Sequence, residues 1–175
     1  MQRQQLEHLI RASAAITGTR EFVVIGSQAL LGQFPDAPAE LLVSIEADLF
    51  VPERPLDAEL IDGSIGEASP FHRTFGYYAH GVGPETAILP SGWFERLVRI
   101  QNENTGGAMA LCLEVNDLAA SKLVAGREKD LDFVQGLLRH GLARPDVVRD
   151  RLQSLPISDE RRSVCVARVQ RLSQV

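Results

Sequence analysis

Two apolar runs separated by a proline loop constrain this chain more than anything else in it. The first, Glu21-Phe22-Val23-Val24-Ile25, runs into Gly26-Ser27 and then into Gln28-Ala29-Leu30-Leu31. That order is the signature of a buried strand, a tight turn and the start of a helix. The second run spans Leu41 to Val51. Its odd positions are all apolar, and its even positions include Ser44, Glu46 and Asp48. A strand places alternate residues on one face, so the spacing predicts Glu46 and Asp48 side by side, about 7 Å apart along the strand. Two carboxylates that close, in so apolar a strand, resist ionising together unless a cation lies between them. Hard divalent ions seek such oxygen ligands.

The remaining pattern is read around this pair. Helical spacing is expected over 2–17 with Gly18 as cap, and a short helix over 27–34. A weak helix follows over 56–65, with Leu60 and Ile61 inward, and then strands near 75–82, 85–89, 96–102 and 108–115. Asn116 or Asp117 caps a helix to Ala125, and further helices follow at 128–139, 145–154 and 158–172. The fold class is α/β in the α+β sense: a small mixed sheet with flanking helices and a helical C-terminal tail. Residues 1–140 form the main domain and 141–175 a helical extension packed on it. A chain of 175 residues can bury a real core without staples.

Composition narrows the function classes. Cys112 and Cys165 are far apart and form no CxxC pattern, which argues against a disulfide framework or a structural zinc site. The polar start, Met1 to Glu7, lacks a signal-peptide core, and no apolar run reaches membrane-spanning length, so a cytoplasmic protein without a membrane partner is expected. The net charge of −5 is uneven: residues 139–175 carry eight Arg against four acids. A basic face of that kind can meet RNA or an acidic partner, although solvated Arg-rich helix faces are the ordinary explanation.

Arg outnumbers Lys sixteen to two, and the two lysines, Lys122 and Lys129, fall on adjacent turns. Lys122 sits at the edge of an apolar face, where an ammonium can lean over a cleft as a phosphate ligand or snorkel to solvent. Asp130 can orient a lysine or a substrate hydroxyl, or serve as a first-turn helix acid. Gly26-Ser27 offers backbone N–H groups and a hydroxyl as a phosphate cradle, or is simply a turn. The four histidines show no metal-ligand spacing; His80 can line a cleft or serve structurally. No GxSxG, P-loop or GxGxxG is present, and Ser27 has no identifiable base partner.

Taken together, Gly26-Ser27, Ser44-Ile45-Glu46-Ala47-Asp48-Leu49, Asp117 to Leu123 with Lys122, and Arg127-Glu128-Lys129-Asp130 resemble the minimal nucleotidyltransferases of the polymerase-β superfamily. The resemblance covers roughly residues 20–140. It is nearest to the AbiEii-like branch, which includes toxins of bacterial type IV toxin–antitoxin systems. It implies a Mg2+-dependent transfer of NMP from an NTP to a hydroxyl on an RNA, a protein or a small molecule, and an antitoxin as a further partner. Gly26 and Ser27 would hold the triphosphate, Glu46 and Asp48 the Mg2+, Lys122 the phosphate charge, and Asp130 would position a substrate group or a lysine. The chain departs from the pattern in having Glu46 where Asp is usual and a longer gap from Gly26 to the acids. It also lacks a clear third carboxylate on a later strand, Glu114 being the candidate. A catalytically degenerate module that binds a nucleotide or a partner protein is the alternative these departures suggest.

Overall fold

A computed structural model describes residues 1–174. Helix α1 (Arg3–Thr17) turns Leu6, Leu9 and Ile10 fully inward, and Gly18, at φ 71°, closes it in the left-handed conformation that glycine adopts without cost. Strand β1 (Glu21–Ile25) follows, then a 3-10 turn, Ser27–Gly32, and strand β2 (Glu46–Phe50). Next come α2 (Asp57–Ile65), α3 (Pro70–Phe75), β3 (Tyr78–Gly81), β4 (Val98–Ile100) and β5 (Met109–Cys112). The chain finishes with α4 (Val115–Ala125), α5 (Glu128–Arg139), α6 (Pro145–Gln153) and α7 (Asp159–Leu172).

The five strands form one mixed sheet in the order β3-β2-β1-β5-β4. The β1–β2 and β4–β5 pairs are antiparallel, and the β1–β5 and β2–β3 pairs parallel. This is the expected α+β class. The central position of β1 explains its unbroken apolar run: both of its faces are covered. Phe22 and Val24 join the main core with α1 and α4, whereas Val23 and Ile25 face a smaller cluster with Phe50 and Val82. Val148 and Leu152 of α6 and Cys165 and Val169 of α7 lie in the same main core as the sheet. Both cysteines are buried free thiols. Among the described residues, no helix is long and apolar enough to cross a membrane.

The structure corrects several local expectations. The acidic strand is 46–50, not 41–51: Leu41 closes a 3-10 turn and packs inward, while Val43 and Ile45 are exposed. The cause is a competing set of hydrogen bonds. The Met1 amino group donates to the Leu42 and Ser44 carbonyls, and the Ser44 hydroxyl accepts from the Glu46 amide at 3.2 Å. Leu60 is exposed and only Ile61 turns inward. Helix α3 fills the stretch before the strand expected near 75–82, which is β3 at Tyr78–Gly81. Ser69 caps the helix by accepting from the His72 amide, Pro70 opens it, and Gly76 at φ 76° ends it. The strand expected over 85–89 is a single 3-10 turn at Pro84–Thr86.

Glu114 is not a strand carboxylate at the site. Strand β5 ends before it, and its side chain caps α4, accepting from the Asn116 and Asp117 amides at 3.0 and 3.2 Å. Asp117, one of two expected caps, is instead fully buried and gripped by Arg96 (2.8 Å) and Arg151 (2.9 Å). Burial still pushes its carboxyl above the usual range, against the pull of Arg96. The C-terminal arginines are largely structural. Arg161 and Arg168 donate to the Val124 and Leu123 carbonyls at the end of α4, and Arg162 to those of Gln153 and Ile157. Arg161, Arg162 and Arg168 thus tie the last helices to one another and to α4, a role that neither the solvated face nor the RNA-binding face foresaw.

Candidate active site

Glu46 and Asp48 reach the same side of the sheet because β2 is pleated with Ala47 and Leu49 in the core. Strand β3 runs parallel beside it, in a register that sets Tyr78 against Glu46 and His80 against Asp48. The two strands carry matching patterns, Glu46-Ala47-Asp48 and Tyr78-Ala79-His80, with both alanines buried beneath. The Tyr78 hydroxyl donates to Glu46 Oε2 at 2.9 Å. His80 Nδ1 stands 3.2 Å from Glu46 Oε1 and 3.4 Å from Asp48 Oδ1. Donor atoms of Glu46, Asp48 and His80 all lie within 4.8 Å of one another, closer than strand rise alone predicts.

This crowding has an electrostatic signature. Burial, together with the neighbouring Glu46 carboxylate, raises the Asp48 carboxyl to about 6. Glu46 moves the other way: burial pushes it up, but hydrogen bonds from protonated Asp48, Tyr78 and His80 outweigh that and hold it below its usual value. Burial tends to discharge the His80 ring, yet Asp62, Asp48 and Glu46 keep it protonated to a higher pH than usual. The same proximity to Glu46, added to burial, raises the Tyr78 phenol to about 12, so it stays a donor. Below about pH 6 the pair therefore shares a proton, and above it two carboxylates crowd one another.

Gly26 makes room for this arrangement. Its backbone, at φ 72° and ψ −176°, is open to glycine almost alone, and a Cβ added there would stand 2.0 Å from Asp48 Oδ2. The conformation delivers Ser27 to the cavity. The segment after it is a six-residue 3-10 turn rather than the helix expected over 27–34. The groups this turn offers the cavity are therefore the Ser27 hydroxyl and the turn backbone, not a helix terminus. Gly26→Ala is expected to cost about 2 kcal/mol from backbone strain plus displacement of Asp48. Gly26→Ala in an Asp48→Ala background is the control, because it keeps the backbone strain and removes the 2.0 Å approach to Asp48. Chemical denaturation should show Gly26→Ala costing clearly more in wild type than in that background; equal losses would remove Asp48 from the explanation.

Facing the acids are cations from the α4–α5 corner. Ser27, Glu46, Asp48, His80, Lys122, Arg127, Lys129 and Asp130 all border one cavity of about 750 Å³. The left-handed Gly126, at φ 67°, turns the chain between the two helices and brings Asp130 under Lys122. Asp130 is fully buried and binds Lys122 Nζ at 2.9 Å and Arg127 Nε at 2.6 Å. Burial would raise its carboxyl, but the hydrogen bonds from Arg127 and Lys122 hold it below the usual range. Asp130 sits in the first turn of α5, as a helix acid would, and its carboxylate also orients a lysine. Lys122 also lies 5.2 Å from the centroid of the Phe133 ring, which with Leu41 and Val43 supplies an apolar part of the cavity wall.

Sequence reading missed Tyr78, Arg127 and Phe133 as site residues and left His80 undecided. The signal for the first and last of these was the Tyr78-Ala79-His80 alternation, hidden by the aromatics and glycines around it. The donor set also fits the Mg2+ that the resemblance implies: two carboxylates open onto a cavity that can take water and phosphate oxygens, which is how this ion is usually held. Comparison with protein-family models, curated proteins and solved structures finds no match to this chain.

Proposed function

We propose that the protein is a metal-dependent nucleotidyltransferase that moves NMP from an NTP to a hydroxyl of an RNA, protein or small-molecule acceptor. One observation carries this reading: the Glu46–Asp48 pair faces Lys122, Arg127 and Lys129 across a single cavity. Opposed walls of acid and base suit a metal-bound triphosphate, and about 750 Å³ is ordinary for a site holding one small molecule. The resemblance noted in the sequence points the same way.

In this mechanism the Ser27 hydroxyl and its turn hold phosphate oxygens. Lys122, fixed by Asp130, offers its remaining N–H donors to the phosphates and neutralises charge that grows as pyrophosphate leaves. Leu41, Val43 and Phe133 shelter the base. Glu46 and Asp48 would hold the Mg2+, which would supply positive charge to the phosphates and make the acceptor hydroxyl more acidic. The acceptor oxygen bonds to the α-phosphorus in line, the bond to the β-phosphate oxygen breaks, and the hydroxyl proton passes to solvent.

A specific observation favours the non-catalytic alternative. Glu46 is already engaged by Tyr78 and His80, and Lys122 by Asp130, a network closed without any substrate. Two measurements separate the readings. NTP with Mg2+ should stabilise the protein by about 2.7 kcal/mol at a hundredfold excess over Kd, and Lys122→Ala should abolish the shift. Label from α-labelled NTPs should then appear on total RNA, on protein or on a small-molecule pool. A thermal shift without label transfer selects the binding module; neither effect refutes nucleotide use.

A further inference from the structure

We propose that His80 is the third metal ligand and that it makes the centre select a first-row transition ion such as Mn2+ over Mg2+. This rests on the reading of Glu46 and Asp48 as metal ligands. Three observations support it. The β2–β3 register places His80 on the same face as Asp48, and Nδ1, not the ring edge, points at both carboxylates, 3.2 and 3.4 Å away. Ligand atoms sharing an ion at about 2.1–2.3 Å lie roughly 3–4 Å apart, so the three donors need little movement to close on one. Finally, Tyr78 holds Glu46 Oε2 at 2.9 Å, which leaves Oε1 facing His80 and Asp48. A hydrogen bond that fixes a ligand's free oxygen in this way is what supports a built metal centre.

Of the other acids at the cavity, Asp130 is held by Lys122 and Arg127, Glu40 by Arg139 and His140, and the exposed Asp132 lies outside the group of donors that Glu46, Asp48 and His80 form. Glu46, one methylene longer than an aspartate, has the reach to meet an imidazole. The chemistry of the set then decides the ion. Mg2+ prefers oxygen ligands in near-ideal octahedral geometry, whereas transition ions accept imidazole readily. The His80 ring is 48% exposed, so the side of the ion away from the sheet stays open to phosphate oxygens.

The test is metal binding to the nucleotide-free protein. Mn2+ titration followed by EPR, with Mg2+ in competition, should show Mn2+ bound at least tenfold more tightly than Mg2+. Pulsed EPR of bound Mn2+ should show coupling to an imidazole nitrogen. His80→Ala should lose that coupling and most of the tenfold preference while binding Mg2+ within about twofold of wild type. His80→Asp should bring the preference toward Mg2+. No Mn2+ binding, no nitrogen coupling in a folded Mn2+ complex, or an unchanged preference in His80→Ala overturns the proposal. Because no nucleotide is present, Mn2+ selectivity without label transfer would count against the enzymatic reading alone. Label transfer with Mg2+ and no nitrogen coupling would count against His80 alone.

Discussion

Asp48→Asn is expected to make the cation-free protein more stable at neutral pH and to abolish nucleotidyl transfer. In the fold the Asp48 carboxyl is raised to about 6, from about 3.9 in an unfolded chain. A raised value means that the group favours the folded state below about pH 4, and that this contribution is lost as pH rises through 6. Above that pH the folded protein carries two crowded carboxylates. Asn keeps the shape and removes one charge. Its side chain is 25% exposed, so solvent screens part of the repulsion, and the gain at pH 7.5 is about 1–2 kcal/mol. Wild type in EDTA should lose stability relative to Asp48→Asn between about pH 4 and 6.5, and a divalent cation should reverse that loss only in wild type. Transfer should fall about 10³-fold, as expected when a group that stabilises transition-state charge is removed. A cation-free wild type that matches or exceeds the variant at pH 7.5 would show that the acids do not strain one another. Such an exchange of stability for a charged site is common where function needs crowded charges.

The second large effect belongs to Asp130. Asp130→Ala leaves the Lys122 ammonium, 13% exposed, without its counterion, and removes the anchor of Arg127. Breaking a buried pair by deleting one partner costs about 3–5 kcal/mol. Here the sign with pH is opposite to that at Asp48. The Asp130 carboxyl is held below its usual value, so its contribution is present above about pH 4 and disappears as pH falls through the lowered value. The Asp130→Ala deficit should therefore be full at pH 7 and shrink in acid. As a positioning residue, Asp130 acts through Lys122, so Asp130→Asn should raise KM for NTP and lower kcat together, and Asp130→Glu should recover part of both. Denaturation curves at pH 7 and pH 3 give the first comparison, and steady-state transfer assays the second. A stability loss that does not change with pH would mean that Asp130 acts by packing rather than charge.

Some of the site is written in short stretches of sequence, and those parts were legible. The apolar run before Gly26, the alternation that sets Glu46 and Asp48 on one face, and the seven-residue step from Lys122 to Lys129-Asp130 depend on local period alone. So do the helix boundaries marked by Gly18 and Gly126. The failures share a different cause. Residues 41–45 have strand-like alternation, but the Leu42 and Ser44 carbonyls are taken by the Met1 amino group, far away in sequence. Glu114 looks like a strand acid until β5 stops two residues short of it and its oxygens go to the amides of α4. Asp117 looks like a cap, and is instead enclosed by Arg96 and Arg151 from two other segments.

By itself, then, the sequence determined that β1 and the Glu46–Asp48 stretch are strands and that α4 and α5 are helices, because backbone period and steric preference act over a few residues. The strand order, the parallel pairing of β3 with β2, and the register that lays His80 and Tyr78 beside Asp48 and Glu46 were decided only by tertiary structure. Those choices follow from burying Ala47, Ala79 and the β1 side chains at once, and slipping the register by a single residue would turn the whole acid–imidazole face into the core.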